Sequence, residues 1–576
     1  MMPLFLFRIA SLPLVLFVLL RSIVVDAQPV PRVVGTVRDG VTGAPISGAV
    51  VSLLDADRVM QRRTVTGTRG EYRLERTVRS TRMQLLRLGF RPREIVLPSV
   101  VSRDTTVDVM MERLPNLLDG MRVTARAACP TRADTPVAFS LWEQARSALL
   151  AAVVTRESQS VTLRRYSFDR ETNGERATRM TVVTDSATGT MASFTAALTP
   201  AGFVRNGFVR DSADDRVYFG PDAEVLLSDA FLDGYCMQLA KTDPVHPERV
   251  GVRFTPARRR TDRVEIDGTL WIDSARRSLS HIDYEYLVPD ARLRALRPGG
   301  QVVFGDMPNG SILIDHWSMR LAGFVMESVP GVPSLTVRSG RRAEVSGGAA
   351  KRFVSVINET GGALAEARWR DSTQWRGRFG SLLLRVLPDS TQSLAGRELR
   401  LSRSPYRARI DSTGHARFAE LIAGPYEVFL ADERLRAIGL ELAVPVPGAV
   451  RRGDSLNASV RVPTAESFVT ERCQRAKQWR DGDRPLLLIR IMSETGNPVE
   501  GARVSIAWES AAGGWQDAAR DYTTGADGVA TYCASAAAVG RLARISARMR
   551  NADPGVFDVQ FGGSLQMVPL VVRPQN

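Results

Sequence analysis

The chain of 576 residues is long enough for roughly three to five domains of ordinary size. Its 44% hydrophobic residues exclude an intrinsically disordered chain and allow several buried cores. The formal net charge of +15 invites a nucleic-acid-binding role, but all except three of the 77 basic residues are arginines spread among acidic residues. We therefore expect no nucleic-acid partner.

The first feature in chain order is an export signal. Arg8 precedes an apolar stretch, residues 9–20, and Val25-Asp26-Ala27 offers small residues for cleavage before Gln28. As a helix the stretch spans roughly 18 Å, which is too short for a hydrocarbon core of about 30 Å. We predict a signal peptide over residues 1–27 and a secreted or periplasmic protein, at most peripheral to the outer membrane. We expect no transmembrane span in the mature chain.

Two distant segments share one pattern, P-[IV]-x-G-A-x-V-x-[LI]. The first copy occupies residues 45–53 and the second occupies residues 498–506, and a Thr-Gly turn precedes each copy. Alternate residues of each copy would lie on one face of a strand. A glycine turn and a second alternating strand follow, with Thr66, Tyr72 and Leu74 in the first case. We predict that each copy belongs to a β-sandwich.

A middle segment carries only the second half of this pattern. Residues 411–418 lead through a Gly-Pro turn into Tyr426 and Val428, and Phe418, Tyr426 and Val428 favour two paired strands. No clear first half precedes them. The sequence therefore predicts a third, fainter copy.

The first copy resembles the carboxypeptidase regulatory-like domain. The resemblance rests on the following motifs: Gly35-x-Val37-x-Asp39, Thr42-Gly43-x-Pro45, Gly48-Ala49, Gly70-x-Tyr72-x-Leu74 and Arg87-x-Gly89-Phe90. It covers residues 30–112 and implies a transthyretin-like β-sandwich that is exported, accessory and non-catalytic, with starch-binding modules as relatives in fold. Residues 118–125 resemble the start of a plug domain, so the chain is similar to the N-terminal extension of TonB-dependent receptors. Too little chain follows for a transmembrane barrel.

The central region fits neither copy. Ser140 and an apolar stripe at helical spacing indicate one helix, and runs with period-two alternation follow, such as residues 250–254 and 282–286. We predict an antiparallel sheet with one helix. The succession resembles lipoprotein-carrier folds in architecture alone, which implies a curved sheet around an apolar cavity.

The predicted fold class is mainly β, with several transthyretin-like or immunoglobulin-like β-sandwiches and a central antiparallel α+β domain. The predicted divisions are a signal peptide (1–27), a first sandwich (28–115), the central domain (130–338), a linker with connecting strands (339–378), a second sandwich (379–465) and a third sandwich (473–576).

Four cysteines, Cys129, Cys236, Cys473 and Cys533, indicate disulfides in an oxidising compartment. Three pairings are possible. Proximity along the chain favours Cys129 with Cys236 and Cys473 with Cys533. Their spacings match no zinc cluster.

The sequence offers no catalytic, cofactor or metal site. A zinc carboxypeptidase needs His-x-x-Glu and a distant histidine, and none of the four histidines is followed by Glu at that spacing. His281 and His316, with Asp283 and Asp315 beside them, would approach each other if their strands paired. Such a pair is more often a structural contact than a catalytic one.

Three functional hypotheses follow. The first is an exported, non-enzymatic envelope protein that binds or scaffolds through its sandwiches, with an envelope protein or polysaccharide as partner. The second is a carbohydrate-binding protein for starch-like glycans, with Trp508 and Trp515 as the best exposed aromatic candidates. The third is a lipid or lipoprotein carrier built on the central region, which requires an apolar cavity of several hundred Å³.

Overall fold

The computed structural model describes most of the chain between residues 30 and 572. The described residues are 30–99, 104–114, 129, 135–158, 160–173, 176–190, 198–211, 216–243, 246–258, 260–308, 310, 312–337, 343–369, 372–387, 393–475, 485–517, 521–534, 538–549, 552–562 and 565–572. The predicted signal peptide and the plug-like segment 118–125 lie outside them. The chain divides into two compact units, Met1–Pro115 and Asn116–Asn576.

The first unit is a sandwich of two sheets. Its strands are β1 (Arg32–Asp39), β2 (Val50–Leu54), β3 (Met60–Val65), β4 (Glu71–Glu75), β5 (Arg82–Leu86), β6 (Arg93–Val96), β7 (Thr105–Thr106) and β8 (Val109–Met111). Strands β4, β7 and β8 pair with β1 in one sheet, and the order β3-β2-β5-β6 forms the other. Ala49, Val51 and Leu53 are fully buried in the core of this unit, as their alternation predicted.

The second unit begins with a ten-stranded sheet and several helices. Its elements are α1 (Thr135–Ser158), β9 (Ser160–Asn173), β10 (Arg176–Thr190), α2 (Pro200–Asn206), β11 (Val209–Asp211), β12 (Arg216–Tyr218), α3 (Ala223–Leu227), α4 (Asp229–Gly234), β13 (Tyr235–Leu239), β14 (Arg249–Pro256), β15 (Ile266–Asp273), β16 (Ser278–Tyr286), α5 (Ala291–Ala295), β17 (Gly299–Asp306), β18 (Ile312–Val337), β19 (Ala343–Trp369) and β20 (Ser372–Arg376). The strand order is β10-β9-β19-β18-β17-β16-β15-β14-β13, with β20 paired to β19, and all these pairs are antiparallel.

Two further sandwiches follow in the same unit. The second sandwich contains β21 (Gly380–Leu387), β22 (Glu398–Leu401), β23 (Arg407–Arg409), β24 (His415–Leu421), β25 (Glu427–Leu430), α6 (Glu433–Ala437), β26 (Val444–Pro445) and β27 (Ser455–Arg461). Helix α7 (Ala465–Arg475) then leads to the third sandwich. The third sandwich contains β28 (Leu486–Ser493), β29 (Arg503–Glu509), β30 (Trp515–Asp517), β31 (Tyr522–Thr523), β32 (Val529–Cys533), β33 (Leu542–Met549), β34 (Ala552–Gln560) and β35 (Leu565–Val572).

The central sheet has more helices than the one predicted. Helix α1 begins at Thr135, before the predicted cap Ser140, which is buried within the helix. Helices α2 to α5 each have seven residues or fewer, so no helical periodicity showed in their sequences. Each of these short helices is capped by one side chain: Thr199, Asp222, Ser228 and Asp290.

Aromatic side chains fill the space between α1 and the central sheet. The ring of Trp142 lies 5.9 Å from that of Phe231 and 6.0 Å from that of Phe254, and Phe231 stacks on Tyr235 at 4.1 Å. All four side chains are buried. The described residues therefore form a packed core where the lipid-carrier hypothesis requires an open cavity.

Helix α1 bears on the expectation that the mature chain has no transmembrane span. Among the described residues, its segment Val137–Thr155 is long and apolar enough to cross a bilayer, by length and composition alone. However, 67% of that segment is buried inside the protein. A buried apolar helix of this kind is typical of a protein core.

The three sandwiches share one strand arrangement. The first strand of each sandwich, β1, β21 or β28, pairs antiparallel with β4, β24 or β32, respectively. The same first strand also pairs parallel with the end of its own sandwich. The parallel partners are β7 and β8 for β1, β27 for β21, and β35 for β28. The similarity predicted from the sequence motifs is therefore a similarity of topology.

A buried threonine forms the same hydrogen bonds in the first and third sandwiches. The Thr66 hydroxyl accepts from the Ala49 N–H at 2.9 Å and donates to the Ile46 carbonyl at 2.7 Å. Thr524 repeats both contacts with Ala502 and Val499 at the same distances. Because the hydroxyl satisfies two backbone groups inside the core, it fixes the start of the strand that carries the motif.

The second sandwich contains the first half of the motif that the sequence did not reveal. Gly396 donates to the Ile410 carbonyl, and Ile410 donates to the Arg397 carbonyl, as Gly48, Thr66 and Ala49 do in the first sandwich. Residues 393–401 therefore correspond to residues 45–53. The signal was weak because Ser393 replaces the motif proline and Ile410 replaces the bonding threonine.

The second sandwich and the central sheet share one core. Tyr166, Phe168 and Met180 of β9 and β10 belong to the same hydrophobic cluster as Leu382 and Val428 of the second sandwich. Strands β19 and β20, which occupy most of the segment predicted as a linker with connecting strands, are part of the central sheet. The regions predicted as a separate central domain and second sandwich are thus joined by buried apolar surface.

A second shared core joins the second and third sandwiches. Leu435 of α6 and Phe468 of α7 pack with Leu486 and Leu488 of β28. The intervening residues of β28, such as Leu487, belong instead to the third sandwich's own core. Strand β28 is therefore buried on both faces, which is unusual for a sandwich strand with one face toward water.

We expect Thr66→Val and Thr524→Val each to destabilise its own sandwich by about 1–3 kcal/mol, because each leaves a buried N–H and a buried carbonyl without a partner. Hydrogen exchange measured by mass spectrometry should show faster exchange in peptides of the altered sandwich. Thr66→Ser and Thr524→Ser keep the hydroxyl and serve as controls. Equal exchange in the valine and serine variants would contradict this account.

Candidate functional site

Two β-bulges lie on neighbouring parts of the central sheet. The register between β15 and β16 shifts after the pair Trp271–His281, leaving Ser280 as the extra residue. The register between β17 and β18 shifts after the pair Val303–His316, leaving Asp315 as the extra residue. A bulge redirects side chains and increases the local twist. The two bulges thus determine where polar groups emerge from this sheet.

The bulges align the two histidines in one row across the sheet. His281 pairs with Val303, and Val303 pairs with His316. From the sequence, direct pairing of the strands that carry His281 and His316 was considered. In the structure β17 lies between β16 and β18, so these two strands do not pair. The spacing of strands in a sheet places the two histidine backbones roughly 10 Å apart.

His281 is held on both sides. Its Nδ1 atom lies 2.9 Å from the Ser280 hydroxyl, and its Nε2 atom lies 3.0 Å from an Asp283 carboxylate oxygen. The Trp271 ring stacks on the imidazole with 6.0 Å between centroids, and Gln301 donates to the other Asp283 oxygen at 2.9 Å. Burial would raise the pKa of Asp283, but hydrogen bonds from His281, Gln301 and Trp271 and the charge of His281 hold it below its usual value.

His316 belongs to a contact between the central sheet and the second sandwich. Arg452, in the loop before β27, reaches both the Asp315 carboxylate and the His316 ring. The Asp315 side chain is only 9% exposed, and its Oδ1 atom has no hydrogen-bond partner within the described structure. Burial would raise the pKa of Asp315, but hydrogen bonds from His316 and Arg452 and their charges lower it.

The Ser280, His281 and Asp283 contacts have the composition of a catalytic triad but a different distribution of burial. In such a triad the carboxylate is buried and orients the imidazole. Here the His281 side chain is 11% exposed and the Asp283 side chain is 49% exposed. The arrangement can order a polar surface, and it lacks the buried acid that would activate a serine.

Metal binding finds no support in the described ranges. No group of three or more His, Cys, Asp or Glu side chains there could hold an ion. His246 contacts Glu248 at 3.3 Å on the surface, and neither His281 nor His316 lies with them in such a group. The residues of a zinc peptidase are thus not assembled in the part of the chain that the structure describes.

The two predicted tryptophans differ in exposure. Trp515 is 42% exposed, and the guanidinium of Arg544 lies 4.3 Å from its ring centre. Trp508 is partly buried against the core of the third sandwich, with its ring 5.9 Å from that of Tyr532. Of the two candidates, Trp515 therefore has the more open ring, while the strand position of Trp508 turns its ring toward the core.

Both disulfides form between the cysteines that lie closest along the chain. Cys129 is joined to Cys236, and Cys473 is joined to Cys533. The second bond connects helix α7 to strand β32 inside the core shared by the second and third sandwiches. Disulfides of this kind fit a protein exported to an oxidising compartment.

Comparison with known proteins assigns one domain. Residues 32–112 match the carboxypeptidase regulatory-like domain family. No curated protein matches the chain. The match is limited to the first sandwich, so the chain contains a carboxypeptidase regulatory-like domain.

Solved structures give only distant similarities. The Bacillus anthracis TIE protein is 9% identical over 63% of this chain and 64% of its own, with a TM-score of 0.14. The minor pilin GBS52 of Streptococcus agalactiae is 10% identical over 34% and 97%, with a TM-score of 0.14. Transthyretin from Sparus aurata is 18% identical over 16% and 90%, with a TM-score of 0.13. The chain spans less than two thirds of the TIE protein, and scores this low establish no shared function.

We expect Asp315→Asn to weaken the joint between the central sheet and the second sandwich by about 1–3 kcal/mol, because it removes the charged partner of Arg452. The lowered pKa of Asp315 means that the wild-type contribution is present above the ordinary value of 3.8 and is lost as pH falls through the folded value. Hydrogen exchange of peptides around residues 312–320 and 448–456, at neutral pH and below pH 4, measures both effects.

The control is Asp185→Asn, which removes an exposed ion pair with Arg165 on the same sheet. A surface pair of this kind contributes less than about 1 kcal/mol. An Asp315→Asn variant that exchanges like Asp185→Asn, or that keeps the acid sensitivity of the wild type, would show that the Asp315–Arg452 contact does not hold the joint.

Proposed function

We infer that this chain is an exported, non-enzymatic binding or scaffold protein of the cell envelope. The observation that carries the inference is the continuity of its buried apolar surface. The core of the second sandwich includes Tyr166 and Phe168 of the central sheet, and a further core joins Leu435 to Leu488 of the third sandwich. Because these interfaces are apolar and buried, the three parts hold their surfaces in fixed relative positions.

Export is supported by the predicted signal peptide and by the two disulfides. On the same grounds we propose a secreted or periplasmic location, at most peripheral to the outer membrane. The similarity of residues 118–125 to a receptor plug remains a prediction, as does the relation to TonB-dependent receptors. An envelope protein or polysaccharide is the proposed partner.

Carbohydrate binding is a second candidate function. It is favoured by Trp515, whose exposed ring lies beside Arg544 on the outward face of the third sandwich. Arg544 in turn donates to both oxygens of Asp558 at 2.7 and 2.8 Å. An aromatic surface flanked by such polar groups suits the apolar face and hydroxyl groups of a sugar.

A lipid-carrier function for the central region finds less support. That proposal needs an open apolar cavity, and the rings of Trp142, Phe231 and Phe254 occupy the space between helix α1 and the sheet. We therefore rank it third.

The scaffold proposal predicts fixed distances within the second unit. Val183 on β10 and Met549 on β33 are 57% and 38% exposed. Spin labels at these two positions should give one narrow distance distribution in double electron–electron resonance spectroscopy. A matched pair within one sandwich, at Leu383 on β21 and Arg409 on β23 in the opposite sheet, sets the width expected of a rigid body. A broad or multiple distribution for the first pair alone would contradict a rigid scaffold.

If the protein is non-enzymatic, as proposed, it should not turn over hydrolase substrates. The mature protein, incubated with chromogenic peptide, ester and glycoside substrates, should release no more product than a variant carrying Ser280→Ala and His281→Ala. These substitutions remove the one Ser-His-Asp contact described above. Turnover that the double variant loses would establish an enzyme and overturn the proposal.

A further inference from the structure

The outward face of the second sandwich carries a groove. Leu399 and Leu401 of β22 point into the core, so the alternating residues Glu398 and Arg400 point outward. The chain from Ala431 to Glu441, including α6, lies beside this face and leaves a cavity of about 380 Å³. This volume lies within the range of small-ligand sites.

One arginine and one aromatic ring form the floor of the groove, and a second arginine lies next to them on the neighbouring strand. Arg400 lies opposite Phe429 of β25 on one side and opposite Arg407 of β23 on the other. Neighbouring strands are about 4.8 Å apart, so the three side chains form one continuous row. Arg436 adds a further cation to the wall of the groove.

The cations of the groove are only partly neutralised. Arg400 donates to Glu398 from Nε at 2.6 Å, and its two Nη groups make no bond within the described residues. Asp432 is buried and already paired with Arg397 at 2.8 Å. Glu441 is the remaining carboxylate in the lining. The lining itself has two arginines, Arg400 and Arg436, and two acids, Asp432 and Glu441. Arg407 and Arg409 lie beside the groove on β23, opposite Arg400 and Glu398, and with them the four arginines outnumber the three acids of this surface, which favours an anionic ligand.

We propose that this groove binds a carboxylated polysaccharide, such as a chain of uronic acids. Arg400 and Arg407 would take successive carboxylates, because a guanidinium donates to a carboxylate through two parallel hydrogen bonds. Phe429 offers its ring to the apolar C–H face of a pyranose. A row in which one aromatic ring adjoins two cations suits a ligand that carries both sugar faces and repeated carboxylates, and it suits an acidic peptide less well.

This inference rests on the proposed binding function and names the partner class. The sequence indicated aromatic candidates on the third sandwich instead, at Trp508 and Trp515. The residues involved are exposed or half-buried on the sandwich surface. Their interaction with an anion is therefore sensitive to salt.

The test is isothermal titration calorimetry of the full mature protein with polygalacturonate fragments. We expect binding that weakens as ionic strength rises, and that is lost with the methyl-esterified polymer. Arg400→Gln and Arg436→Gln should each weaken binding by about tenfold, the effect of losing one charge-assisted contact. Phe429→Leu keeps the apolar volume and removes the ring, and it should weaken binding of the polysaccharide but not of polyglutamate.

Arg417→Gln is the matched control, because Arg417 is an exposed arginine on β24 in the opposite sheet of the same sandwich. The proposal is overturned by an absence of polygalacturonate binding, by equal weakening in Arg417→Gln, or by tighter binding of polyglutamate. The last result would indicate an acidic peptide. Depolymerisation of polygalacturonate during the titration would instead contradict the non-enzymatic function, so the two failures are distinguishable.

Discussion

The architecture of the larger unit depends on apolar contact between sheets that belong to different parts of the chain. Tyr166, Phe168 and Met180 complete the core of the second sandwich, although more than 200 residues separate them from Leu382. Fully burying a large apolar side chain contributes about 1.5–3 kcal/mol. Burying a few such residues therefore stabilises the joined arrangement by more than the second sandwich would gain in entropy by moving independently. This contact converts a series of repeated folds into one body.

The same contact explains why charged groups meet at its edge. The second sandwich covers part of the central sheet. At the edge of that part, Arg452 of the sandwich contacts Asp315 and His316 of the sheet. Beyond that edge the row continues to His281 and Trp271, which no sandwich residue contacts in the hydrogen-bond or ring interactions described above. Polar side chains can occupy this part of the sheet because water reaches Asp283. The boundary between buried and open sheet is thus also a boundary in chemistry.

Much of the fold could be predicted from the sequence, because strand alternation is local information. Val51, Tyr72, Phe418 and Val504 are buried in strands or beside them as their spacing indicated. The first half of the second sandwich was missed because Ser393 and Ile410 stand where the other copies have proline and threonine. The bulges at Ser280 and Asp315 have no local signal, since a register shift depends on the partner strand. Contacts such as that of Arg452 with Asp315 join residues far apart in the chain. The spacing of residue types along the sequence cannot predict such contacts.

What distinguishes the sandwiches is the covering of their outward faces. In the third sandwich, helix α7 covers one sheet through Phe468, while the opposite sheet leaves Trp515 open beside Arg544. In the second sandwich, α6 covers its sheet incompletely, and the remainder is the groove of Arg400 and Phe429. The inner faces are nearly equivalent, because the same topology requires the same buried alternation. Binding chemistry can therefore vary on the outward faces without disturbing the cores that hold the scaffold together.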